Sequence, residues 1–200
     1  MKIKSRYEID QAQLARMYAE AGIPFRLTGS VSGVLKPAGI DKQIHQALMD
    51  RSSCAPVVAV VGRPLKLAQK AGIYIGHQVL WRSARTERPL LVRRVDLFKI
   101  RQARRERKDC ALRAVDNVFA YADLLILNDV TAEVRSMWTE EERWWLQYKI
   151  SSLRSAKKSP ILICTDASLS PKELREFFRI MNVDAFTIRA AQEVQILDAN

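Results

Sequence analysis

Hydrophobic positions along this chain fall into short uninterrupted runs separated by longer stretches of helical spacing. Pro89 to Val95 (PLLVRRV) reads as a strand, while Pro56 to Gly62 (PVVAVVG), β-branched and closed by glycine, Asp123 to Asn128 and Pro160 to Thr165 (PILICT) are the continuous apolar runs. Such runs predict strands buried on both faces. Between them, Leu65 to Trp81 and Asp96 to Arg107 are compatible with helix. Thr139 and Glu142 make a T-x-x-E capping signature ahead of Trp144, Trp145, Tyr148, Ile150 and Leu153, with the tryptophans expected in packing contacts. Ser170-Pro171-Lys172-Glu173 opens a further helix to about Met181, and Ala185 to Arg189 and Glu193 to Leu197 read as closing strands. The alternation predicts an α/β fold, a mainly parallel sheet with helices on both faces.

Upstream, Tyr7 to Ala21 carries Ile9, Leu14, Met17 and Tyr18 at helical spacing, and Gly22 with Pro24 stops it. A Gly- and Ser-rich connector follows, then a short helical pattern from Asp41 to Arg51. Residues 1–50 therefore read as a helical extension and connector, and 51–200 as the core domain. Gly72 and Gly76 sit inside a predicted helix, where each costs about 1 kcal/mol against alanine, so close packing or distortion of the helix is expected there.

The stretch Ala122 to Thr131, ADLLILNDVT, bears most on function. A buried strand that stops at Asn128 and Asp129 delivers polar groups to the carboxyl edge of a parallel sheet, where ligands sit. In P-loop proteins that edge holds Mg²⁺. The net charge of +11 points to a polyanionic partner rather than to a fold. Cys54, Cys110 and Cys164 are far apart and without CxxC spacing, and His45 and His77 are isolated, so neither a disulfide framework nor a zinc site is expected. The amino terminus lacks an apolar signal-peptide core and no window is long enough to span a membrane, which predicts a soluble, cytoplasmic protein.

In this order the segments resemble the DnaC/IstB group of AAA+ ATPases, the helicase loaders and transposition helpers. AGIPFRL (Ala21 to Leu27) is similar to the segment before that family's ATPase core, and PVVAVVG to its phosphate-loop strand. PLLVRRVDLFKIRQAR resembles the next strand and helix, ADLLILNDV the Walker B strand, PILICTDASLS the sensor strand, and AFTIRAAQEVQIL the closing strand. The resemblance implies a P-loop NTPase core, ATP with Mg²⁺ as cofactors, and a replication or mobile-element setting.

The catalytic positions depart from that pattern. A phosphate loop requires GxxxxGK[ST], because backbone N–H groups wrap the phosphates, lysine reaches their terminal oxygens and a hydroxyl holds Mg²⁺. Counted from Gly62, those last three positions are Leu67, Ala68 and Gln69. The metal-holding aspartate and catalytic glutamate that the resemblance implies fall on Asn128 and Asp129, and the sensor asparagine on Asp166. Arg175 and Arg179 are weak substitutes for an arginine finger. The expectation is a pseudo-ATPase without cofactor, its degenerate site formed by Gly62, Lys66, Lys70, Asn128, Asp129 and Asp166. An active ATPase would need Lys66 or Lys70 in place of the missing lysine, and Asp129 with Asp166 as a nuclease-like metal pair is a further alternative.

From Arg82 to Arg113 there are twelve Lys or Arg against four Asp or Glu. Arg93, Arg94, Lys99, Arg101, Arg104, Arg105, Arg107 and Lys108 form the dense part, expected to track the phosphate backbone of DNA without reading bases. Partners implied are DNA, a replicative helicase or an active AAA+ protein, with homo-oligomerisation also compatible. The leading expectation is a non-hydrolytic, loader-like accessory protein; the alternatives are an active DnaC/IstB-type ATPase and an inhibitor of a helicase or loader.

Overall fold

Among the described residues, five parallel strands make the sheet, laid side by side in the order Val92–Asp96, Leu124–Val130, Ile161–Thr165, Val57–Arg63 and Asp184–Arg189. A computed structural model describes residues 11–25, 56–84, 90–106, 109–157 and 159–189. The strands are β1 (Val57–Arg63), β2 (Val92–Asp96), β3 (Leu124–Val130), β4 (Ile161–Thr165) and β5 (Asp184–Arg189). The helices are α1 (Gln11–Ala21), α2 (Leu65–Ser83), α3 (Leu97–Glu106), α4 (Asp109–Tyr121), α5 (Ala132–Ser136), α6 (Glu140–Lys157) and α7 (Pro171–Phe178). The predicted α/β class holds. The expected helix at Asp41 to Arg51, the strand at Glu193 to Leu197, and Cys54, Arg107 and Lys108 lie outside the described residues.

Strand order decides where the helices go. The chain leaves β1 across β4 and β3 to reach β2, and every later crossover runs back the other way. Right-handed crossovers then put α2 on one face and α3 to α7 on the other. The two cores agree: α1 and α2 pack on Val58, Val60, Ile126 and Cys164, whereas α3, α6 and α7 pack on Ala59, Leu125, Leu127 and Ile163. Leu14, Tyr18 and Ala21 of α1 are buried in the first core, so this helix is an integral part of it.

Gly72 and Gly76 explain themselves on that face. A Cβ at Gly72 would stand 2.6 Å from Cys164 Sγ, and one at Gly76 2.3 Å from Ile23 Cδ1. Both glycines let α2 lie hard against the sheet. Both predicted capping boxes form: Thr139 and Glu142 exchange hydrogen bonds at the start of α6, and Ser170 and Glu173 do so at α7. Helix α7 is shorter than predicted, because Arg179 turns left-handed at φ 55° and ends it.

Candidate functional site

Helix α2 leaves β1 to one face and α7 leaves the neighbouring β4 to the other, so the sheet has its topological switch point at the carboxyl ends of β1 and β4. Ligands of open α/β sheets bind in the crevice such a reversal opens. Gly62, Asp166, Asn128 and Asp129 lie on or beside this edge, so the fold brings four of the six residues of the predicted degenerate site together.

The connection between β1 and α2 is short. β1 keeps its pairing with β5 through Arg63, α2 starts at Leu65, and Pro64 alone lies between them. Of the residues that a phosphate loop would wrap around its ligand, Arg63 is in the strand and Leu65 and Lys66 are in the helix. Leu67 N–H donates to Pro64 O at 3.0 Å, closing the first turn. That turn rests on Gly62, where a Cβ would come within 2.4 Å of Ala68 N and 2.6 Å of Pro64 O. Leu67 and Ala68 are buried beneath it.

Gln69, standing where a magnesium-binding hydroxyl would be, donates its amide to Asp129 Oδ1. Asp129 reaches this position through a left-handed backbone, φ 56°, at an irregularity in the β3–β4 pairing between Leu127 and Val130. A non-glycine residue in that region stores backbone strain and marks functional sites. Asn128 is fully buried and donates to Asp96 Oδ1 at 3.3 Å, while Lys99 pairs with the other Asp96 oxygen at 3.4 Å.

Asp166 points into its own turn. Its Oδ1 accepts from the backbone N–H and the hydroxyl of Ser168, and the same hydroxyl accepts from Ala132 N–H at 2.9 Å. Lys66 is exposed and Lys70 half-buried on α2. Cys164, behind Gly72, has its thiol pushed up to about 12 by burial, so it is not a reactive thiolate. Among the described residues, no group of three or more His, Cys, Asp or Glu is placed to hold a metal ion.

The basic belt divides between internal and outward-facing cations. Arg93 donates to Glu20 and Arg94 to the carbonyl of Gly22, fastening α1 to the edge strand β2. Arg101 and Arg105 each donate to one oxygen of Glu142 at 3.1 Å. Burial pushes the Glu142 carboxyl up, but hydrogen bonds from Thr139 N–H and the two guanidinium groups outweigh it and hold the group below its ordinary value. Arg104 lies over the Trp145 ring, 4.2 Å from its centroid. Arg101 is largely buried, whereas Arg105 is half exposed and Lys99 faces solvent.

Two parts of this arrangement escaped the sequence reading. Gln69 reads as a poor metal ligand, but nothing in the chain marks Asp129 as its partner. Glu142 reads as a capping residue, and its role as acceptor for two arginines has no local signal. No protein-family model matches this chain, and no curated protein does.

Proposed function

We propose that this chain is a non-hydrolytic accessory module of P-loop ATPase architecture. In this reading it binds nucleic acid and assists a replicative helicase or an active AAA+ protein. The observation that carries it is the one-residue connection at Pro64, which sets the first turn of α2 in the space a phosphate loop would enclose. The residues present do not fit a triphosphate and Mg²⁺. Ala68 has no charge to offer, Gln69 and Asp129 are bonded to each other, and Asn128 is neutral and tied to Asp96. Phosphoryl transfer depends on positioned charges. The strands that the resemblance likens to the phosphate-loop, Walker B and sensor strands nevertheless meet at one edge, which favours a retained scaffold over an unrelated sheet.

The nucleic-acid part of the reading rests on the net charge of +11 and on the outward cations of α3. Arg101 and Arg104 hold α3 to α6, so a test that reverses them would confound binding with folding. Neutralising Lys99, Arg105 and Arg107 together to glutamine keeps Arg101 on Glu142 and gives up only the half-exposed Arg105 bond, at a cost of about 1 kcal/mol or less. The triple variant is expected to lose about tenfold or more in affinity for a labelled DNA, with the salt dependence of log K flattened by roughly 0.9 for each phosphate contact removed. Anisotropy titrations at several salt concentrations measure both; an unchanged affinity and slope would remove the belt from the account.

A further inference from the structure

Helix α6 presents two large aromatic side chains to solvent at the same azimuth. Trp144 is 63% exposed and Tyr148 70% exposed, although Trp145 between them is packed against Phe119 and Arg104. Exposed aromatics one turn apart make no contribution to the core and call for another explanation.

The α7 flank of this ridge is basic. On the α7 side, the Arg179 guanidinium lies over the Trp144 ring at 5.8 Å, and Arg143, Arg154 and Arg175 line the grooves along α6 and α7. On the other side, half-exposed Arg105 is bonded to Glu142, and Lys149 of α6, about a quarter exposed, is paired with Asp116 of α4 at 2.7 Å. Acidic residues concentrate at one end, with Glu140 and Glu141 in the first turn of α6, and Glu176 is paired with Lys172. The ridge from Trp144 towards the carboxyl end of α6 thus combines aromatic faces with cations along its α7 side.

We propose that this ridge is a binding surface for single-stranded nucleic acid, with bases stacking on Trp144 and Tyr148 and phosphates held by Arg179 and Arg143. The proposal rests on the nucleic-acid reading above and adds the strand form and the stacking residues. Four residues of α-helix separate the two rings by about 6 Å along the axis. That exceeds the roughly 3.4 Å spacing within a duplex strand, so the rings suit bases that have been pulled out of a stack. A cationic groove with stacking aromatics is the physical basis of sequence-tolerant single-strand binding. Arg179 has a second role here, since its left-handed backbone ends α7 where its guanidinium can reach the Trp144 face.

The test is a fluorescence anisotropy titration of a labelled oligothymidine and of a duplex of equal length. It uses the full chain, Trp144→Ala/Tyr148→Ala, and Trp144→Phe/Tyr148→Phe. Both positions are exposed, and circular dichroism checks that the fold is kept. The wild type is expected to prefer the single strand, the alanine pair to lose about 30-fold for it, and the phenylalanine pair to stay within about threefold. An alanine pair that binds oligothymidine as tightly as the wild type would overturn the ridge as a stacking surface. If the Lys99, Arg105 and Arg107 variant loses binding in that same experiment, nucleic-acid binding stands and only the ridge falls. A wild type that binds neither probe overturns both.

Discussion

Gly62→Ala is expected to destabilise the whole domain by about 3 kcal/mol or more, the upper end of what overpacking costs. The added methyl carbon would stand 2.4 Å from Ala68 N, 2.6 Å from Pro64 O and 2.9 Å from Ala68 Cβ. Two of these neighbours are backbone, in a first turn that cannot lift without pulling Leu67 and Ala68 out of the core. Nor can the strand retreat, because β1 is hydrogen-bonded to β4 on one side and β5 on the other. Gly72→Ala offers a contrast. Its nearest obstacle is the Cys164 side chain at 2.6 Å, so Gly72→Ala combined with Cys164→Ala should recover much of the loss. Urea unfolding followed by circular dichroism separates the two cases. A Gly62→Ala protein as stable as the wild type would mean that α2 does not rest on β1 in this way.

Glu142→Gln is the second large effect, at about 3 kcal/mol, the cost of leaving a buried charge without its partner. The carboxylate takes one hydrogen bond from Arg101, one from Arg105 and one from Thr139 N–H, so it joins α3 to α6 and caps α6 at once. Arg101 is almost as buried as Glu142, whereas Arg105 is half exposed. Arg105→Gln alone should therefore cost no more than about 1 kcal/mol. The sign of the pH dependence follows from the lowered carboxyl. Glu142 contributes its full stability above its ordinary value of 4.5, and the contribution is lost as pH falls through the lower folded value. The difference between wild type and Glu142→Gln should be constant near neutrality and shrink on acidification below that point. A gap independent of pH would contradict the charge-based account.

Strands β1, β3 and β4 were legible because buried parallel strands are written as continuous apolar runs; the edge strands β2 and β5 interrupt theirs with Arg93, Arg94 and Thr187, yet each overlaps a segment read as a strand. Both capping boxes were legible because their residues are three apart and interact locally. Helix α4 has no counterpart among the sequence-predicted elements, although Val115, Val118 and Phe119 keep a helical interval. Helix α5 has five residues, too few for a period to show. The order of the strands is not encoded in any one run, since four similar apolar segments can be permuted without changing the pattern. At the site, residue identities show that the GxxxxGK[ST] pattern is absent, yet the contacts made there needed the fold. Gln69 and Asp129 are sixty residues apart, and their bond depends on a left-handed turn that aspartate alone does not announce. Which cations of the belt are internal is not marked locally, because their partners Glu20, Gly22 and Glu142 lie far along the chain. Arg93 and Arg94 bond α1 and the turn after it, and α3 spends Arg101 and Arg104 on α6.

The central claim is that this sheet edge is filled by the chain's own residues, with Gln69 on Asp129 and the first turn of α2 over Gly62. Isothermal titration of the full chain with ATP, with and without Mg²⁺, tests it most directly. The account predicts no saturable heat in either condition. Micromolar, magnesium-dependent binding that disappears in Lys66→Ala or Lys70→Ala would contradict it.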